Sequence, residues 1–179
     1  AAHRLVEALC ERDAAGAWSI TVIGEEDRPA YDRVALTTHL EGADLAYPAH
    51  DARVTVVTGE RVTSVDRAAR TVTTSAGRVA AYDALVLATG SSPFVPPVEG
   101  RALPGVFAYR TVDDLDAIRA YAEGRTTGAV VGGGLLGLEA ARALQGLGLR
   151  SAVVEAAPWL MPRQLDEGGG AMLRRRGGG

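Results

Sequence analysis

The sequence contains a single cysteine, Cys10. One thiol excludes an internal disulfide framework, a CxxC redox pair and a multi-cysteine zinc or iron–sulfur site within these residues. Lysine and asparagine are absent, and all 19 Lys/Arg positions are arginine, a bias of GC-rich coding rather than of chemistry. Aromatic residues make up only 5%, which argues against a large aromatic binding surface. No apolar run reaches the roughly 18 residues of a membrane-spanning helix. A net charge of −3 over 179 residues gives no footprint for nucleic acid or an anionic membrane. The opening AAHRLVEALC places Arg4 and Glu7 inside an amphipathic pattern, unlike a secretory leader, so a reducing, cytoplasmic setting is expected. What is plentiful is glycine, 22 residues, in a chain that is 47% hydrophobic and 23% charged. That is an ordinary globular balance with many tight turns.

The periodicity alternates between strand and helix. Residues 1–9 read as an amphipathic helix and 19–24 (SITVIG) as a short apolar strand. Residues 54–58 and 61–66 alternate as strands around Gly59-Glu60, and 70–75 with 78–81 flank Gly77 as a hairpin. LVLA, 85–88, reads as a buried strand running into Thr89-Gly90, followed by the proline-rich stretch SPFVPP, 92–97. Residues 112–123 read as a helix with Thr111 as its cap and Asp114 three residues on. Strand 129–131, helix 135–147, strand 151–155 and a helical pattern from 165 to 176 complete the chain. Each half thus carries strand, helix and a strand ending in an acid. Cys10 is expected as a small core residue. His3, His39 and His50 lack ligand spacing and are expected at the surface.

The strongest local signal is GAVVGGGLLGLEAARALQGLGLRSAVVE, 128–155. Gly132-x-Gly134-x-x-Gly137 follows a β-branched strand and opens an alanine-rich helix. The first glycine permits a tight turn, the second lets the backbone approach a pyrophosphate, and the third brings helix and strand together. Leu135 and Leu136 stand in the first helical turn, where backbone N–H groups and the helix dipole favour phosphate. Glu155, at the end of the next strand, is placed to accept both ribose hydroxyls. The pattern predicts dinucleotide binding.

The first half shows the same arrangement without a glycine loop, and Glu25 and Glu26 stand at its strand end. TVIGEEDRPAYDRVAL resembles the corresponding region of FAD-dependent pyridine nucleotide oxidoreductases of the ferredoxin-reductase type. The resemblance implies that Glu25 holds the adenosine ribose of FAD and that Arg33 approaches the cofactor as a fixed cation. YDALVLATGSSPFVPP resembles that group's second signature, in which the backbone of Ala88, Thr89 and Gly90 passes close to FAD. Val62 sits where the group's backbone meets the adenine.

Longer stretches narrow the resemblance. RPAYDRVALTTHL, FAYRTVDDLDAI, GAVVGGGLLGLEAARALQGLGL and PWLMPRQLDEGGGAMLRRR are together similar to the N-terminal FAD- and NAD(P)H-binding region of assimilatory nitrite reductase large subunits. The resemblance implies hydride transfer from NADH (or NADPH) to FAD, with electrons passed on to reduce nitrite to ammonia. It also implies the small subunit of nitrite reductase as a partner and, for Glu139, a place near the nicotinamide. The family's sirohaem and iron–sulfur cluster have no ligands in this chain. Thr38 stands where ferredoxin-reductase relatives carry a lysine, a lack that nitrite reductases share. Two further departures are the absent FAD glycine loop and the short connection 40–54. The alternatives are a ferredoxin- or rubredoxin-type NADH reductase and a non-catalytic nucleotide-binding remnant. The expected fold is α/β, with two Rossmann-like dinucleotide-binding domains, both incomplete. The expected division places FAD on 1–103 and NAD(P)H on 104–179.

Overall fold

A computed structural model describes residues 2–177. Contacts divide the chain into two units, 1–32 with 46–91 and 33–45 with 92–179. The segment 33–45 belongs with the second unit, and the main division falls at the start of the proline-rich stretch. This is a partition by contacts, whereas the expected boundary at 103 is a partition by cofactor.

In the first unit, helix α1 (Ala2–Arg12) is followed by strand β1 (Ile20–Ile23). β1 pairs in parallel with β2 (Val54–Val57), Ile20 opposite Val54. Strand β3 (Val62–Asp66) does not continue the β2 ladder. It forms a separate antiparallel sheet with β4 (Thr71–Thr74) and β5 (Val79–Ala81), in the order β3-β4-β5. The sheet is closed by polar contacts as well as by buried Val72: buried Thr74 donates to Glu60 at 2.6 Å, and Arg78 pairs with the same carboxylate.

Asp13 ends α1 by accepting the amides of Ala17 and Trp18, both at 2.9 Å. These two amides hold its carboxyl below the usual range, with the Arg53 charge adding to the effect against partial burial. His3, expected at the surface, is only 6% exposed. Its ring stacks on Tyr47 at 4.4 Å, its Nδ1 lies 3.1 Å from His50 Nε2, and Glu7 flanks its Nε2 at 3.3 Å. An imidazole in the first turn of an amphipathic helix points inward when neighbouring rings cover it, which spacing alone does not reveal.

The stretch 85–88 is not a strand. Val86 and Leu87 are 60% and 72% exposed, in irregular backbone. Among the described residues the β1-β2 sheet has two strands, and neither pairs with 85–88. An apolar run becomes a strand only when a neighbour pairs with its backbone.

The second unit is built on a βαβ unit. Strand β6 (Thr127–Val131) leads into helix α3 (Leu135–Gly146), which returns to β7 (Arg150–Val154), parallel to β6 with Val131 opposite Val154. Buried Ala140, Ala141 and Ala143 let α3 lie close to the strands, and Leu149 closes the packing. Helix α2 (Val112–Ala122) starts with a full capping box: Thr111 accepts the Asp114 amide, and Asp114 accepts the Thr111 amide. It buries Val112 and Leu115, the latter completely. A 3₁₀ helix (Leu36–Glu41) packs against α2 and α3 and is pinned to α2 by Arg119, which donates to the His39 carbonyl at 2.8 Å. Helix α4 (Glu167–Gly177) ends the described chain.

Thr111→Ala removes the hydroxyl that caps α2 and is expected to cost about 1 kcal/mol, read as a lower urea midpoint with unchanged cooperativity. For His50, burial and the neighbouring His3 push the ring below its ordinary value of 6.5, against the opposing pull of Glu7. Below that value the unfolded chain therefore binds more protons than the folded one, so stability rises with pH through this window. The urea midpoint is expected to be lower at about pH 5 than at about pH 7, and His50→Gln is expected to flatten the difference. An undiminished slope in His50→Gln would refute the assignment.

Candidate dinucleotide site

The glycine loop lies at the carboxyl ends of the parallel pair β6-β7, where open α/β sheets present ligands. The Gly132 amide extends the ladder by donating to the Val154 carbonyl at 2.8 Å. Gly132 then turns the chain at φ +112, a conformation that side-chain-bearing residues rarely adopt. Gly134 is the N-cap of α3, and no side chain caps the helix, so a side chain does not satisfy its first-turn amides. At Gly137 any Cβ would fall on the Gly132 carbonyl oxygen. The close approach of helix and loop is therefore possible only with glycine there.

Glu155 directly follows β7 and turns back into the loop. One carboxylate oxygen accepts the Gly133 amide at 2.6 Å and the other accepts the Ala157 amide at 2.8 Å. The Ala157 and then the Gly133 amide hold its carboxyl below the usual range, against partial burial. A carboxylate has about four lone-pair sites, and two amides leave capacity for further donors. The other side of the same peptide is also tied, because Met161 donates to the Gly133 carbonyl at 2.9 Å. Met161 does so at φ +53, an uncommon conformation for a residue with a side chain. The Leu160 side chain and the Glu155 stem fill the space where a Gly133 Cβ would stand. The Trp159 indole N–H donates to the Leu165 carbonyl at 3.1 Å and fixes the loop that carries these residues. Around this polar cradle, Val131, Leu135, Leu136 and Val154 are all more than half exposed. An uncapped helix start bordered by exposed apolar side chains is the combination this loop presents.

Glu139, one turn further along α3, accepts the Thr37 hydroxyl of the 3₁₀ helix. That same hydroxyl lies 2.7 Å from the Tyr109 phenol oxygen. Thr38 turns its hydroxyl onto the Ala35 carbonyl at 2.7 Å. Arg33, also in the second unit, donates to the Arg110 carbonyl at 3.2 Å.

The remaining expected positions lie in the first unit. Glu25 is exposed and paired with Arg61, whose Nε donates at 3.0 Å. Val62 starts β3, where the register with β4 shifts. Ala88, Thr89 and Gly90 are exposed in irregular backbone, with Gly90 at φ +70 and open space where a Cβ would stand. The structure thus gathers Gly132, Gly134, Leu135, Leu136, Gly137 and Glu155 into one site. Gly133, Met161, Thr37 and Tyr109 carry no sequence signal: a middle glycine in GGG has no distinctive spacing, and the others act across sequence-distant elements. Among the described residues no group of three or more His, Cys, Asp or Glu could hold a metal ion. Among the same residues no helix is long and apolar enough to cross a membrane.

Comparison with known proteins agrees with this geometry. The chain is 45% identical to the large subunit of nitrite reductase (NADH) from Escherichia coli over 97% of its own length and 21% of that protein. It is 41% identical to the nitrite reductase [NAD(P)H] of Bacillus subtilis over 88% of its length and 20% of that protein. The chain therefore spans about a fifth of these relatives. Among solved structures, a ferredoxin reductase from Rhodopseudomonas palustris superposes with a TM-score of 0.85 at 28% identity, over 96% of this chain and 44% of that one. NADH:rubredoxin oxidoreductase from Clostridium acetobutylicum gives 0.78 at 27% identity, over 88% and 43%. Members of the pyridine nucleotide-disulphide oxidoreductase family use FAD and NAD(P)H. With its family model matched from residue 3 to residue 176, this chain belongs to the pyridine nucleotide-disulphide oxidoreductases.

Proposed function

We propose that this chain is the electron-input module of an NADH-dependent nitrite reductase, taking hydride from NADH onto FAD to supply the reduction of nitrite to ammonia. The observation that carries the reading is the Gly132–Gly137 loop with Glu155 folded into it. In this reading residues 104–179 bind NAD(P)H: the amides of Gly134, Leu135, Leu136 and Gly137 meet the pyrophosphate, and Glu155 accepts the ribose hydroxyls. Glu139 stands toward the nicotinamide end of the same cofactor.

Residues 1–103 belong to FAD, with Glu25 toward its ribose, Arg33 toward its phosphates, and the backbones of Val62 and Ala88–Gly90 alongside it. The fit rests on the bare backbone at Gly90 and on carboxylate and guanidinium groups suited to ribose and phosphate. When both cofactors are bound, the chemistry they supply is hydride transfer from dihydronicotinamide to flavin. The chain's own residues bind, orient and tune; no protein nucleophile or general base is required. A small subunit of nitrite reductase is the proposed partner, and the cytoplasm the proposed location.

A ferredoxin- or rubredoxin-type reductase is the second reading, supported by the likeness to solved structures of both kinds. Thr38 disfavours it, since its hydroxyl is bound to the Ala35 carbonyl where such reductases carry a lysine. The discriminating experiment uses the intact enzyme with NADH and either nitrite or a ferredoxin as acceptor; ammonia formation supports the first reading, and ferredoxin reduction without ammonia the second.

Two substitutions test the site. Gly137→Ala places a methyl against the Gly132 carbonyl and is expected to weaken NAD⁺ binding at least about tenfold, measured by equilibrium titration. Glu155 should repel the 2′-phosphate of NADPH, and the following Ala156, Ala157 and Pro158 offer no side-chain donor to rescue it. The intact enzyme is therefore expected to prefer NADH, and Glu155→Ser to shift the kcat/KM ratio toward NADPH by about tenfold. Because the bound amides keep its carboxyl below the usual range, the preference should persist down to about pH 5. A wild type that favours NADPH, or an unchanged ratio in Glu155→Ser, would remove Glu155 from this role.

A further inference from the structure

Thr37, Tyr109 and Glu139 come from three separate elements of the second unit: the 3₁₀ helix, the segment before α2, and α3. The Thr37 hydroxyl is within hydrogen-bond reach of both other groups. A threonine hydroxyl has a single proton and an ionised carboxylate has none. The Thr37 proton must therefore go to Glu139, which leaves a Thr37 lone pair to accept from the Tyr109 phenol. The chain of donors then runs one way, Tyr109 to Thr37 to Glu139, and it holds while Tyr109 keeps its proton. Burial pushes the Tyr109 phenol above its ordinary value, and the charge of Glu139 pushes it further in the same direction, against the Thr37 hydrogen bond.

A glutamate on a helix otherwise samples several rotamers, and fixing one costs conformational entropy. Here the anchor is a residue from a different element rather than a helical neighbour. We propose that Thr37 is a positioning residue for Glu139, and that Tyr109 fixes the direction in which Thr37 donates, so that the carboxylate is held ready at the nicotinamide end of the site. This rests on the reading of Glu139 given above and adds to it the two groups that aim it. It also gives a role to Tyr109, just before α2, and to Thr37, in the stretch after Tyr31-Asp32-Arg33.

The test uses the intact FAD-loaded enzyme, with two readouts: the dissociation constant for NAD⁺, which does not turn over, and the rate of flavin reduction by NADH. Thr37→Val keeps the shape and removes the hydroxyl; Thr37→Ser keeps the hydroxyl and removes a methyl. Thr37→Val is expected to weaken NAD⁺ binding or slow flavin reduction by about tenfold, the usual consequence of losing a hydrogen bond to a charged group. Thr37→Ser is expected to recover most of that loss. Tyr109→Phe should cost about threefold alone and nothing more in the Thr37→Val background, because the two act in series. A packing role would give the opposite order, with valine tolerated and serine impaired, and that order would overturn the inference. Glu139→Gln separates the two levels. If it is impaired while Thr37→Val stays within about twofold of wild type, the positioning fails and the reading of Glu139 stands. If Glu139→Gln itself changes neither readout, both fall.

Discussion

The site depends on one peptide group, that of Gly133. Its N–H is held by the Glu155 carboxylate at 2.6 Å and its C=O by the Met161 amide at 2.9 Å. A loop of three glycines is otherwise the most freely moving kind of backbone, and ordering it costs more than ordering any other residue type. Two hydrogen bonds from the far side of β7, one of them charge-assisted, offset that cost before any ligand arrives. The first turn of α3, which no side chain caps, is thereby held in one geometry, which is what preorganisation means energetically.

The same tie explains why the segment after β7 is more than a connection. Glu155 reaches the loop because Ala157 holds its second oxygen, and Met161 reaches it because Trp159 and Leu165 fix the turn that carries both. The backbone at Met161 adopts φ +53 at this point. Uncommon backbone of this kind persists where surrounding contacts over-determine it, and such places cluster at ligand sites. Leu160 fills the gap above Gly133, so a side chain on that glycine would displace the loop.

The two strand-end acids, similar in sequence, are treated differently. Glu155 is engaged by backbone amides that cannot move away, whereas Glu25 is exposed and engaged by the exposed side chain of Arg61. An exposed ion pair contributes little to stability and is readily exchanged for another partner. Glu25 can therefore exchange its partner, whereas Glu155 is held in one place.

Much of this was legible in the sequence. Gly132, Gly134, Gly137 and Glu155 were identified by spacing, because a tight turn, a close backbone approach and a strand-end carboxylate each require a particular residue type at a particular place. Thr111 and Asp114 announced the start of α2 for the same reason, a local hydrogen-bonding requirement. What the sequence by itself determined is the set of local conformations and the chemistry each can offer. Only the tertiary structure decided which groups meet. Among the described residues it paired no strand with the apolar run 85–88, buried His3 between Tyr47 and His50, and joined Thr37, Tyr109 and Glu139 through one hydroxyl. The physical reason is that a turn or a cap is satisfied by its own neighbours. A ladder partner, a stacked ring or a shared proton must be supplied by chain that is distant in sequence.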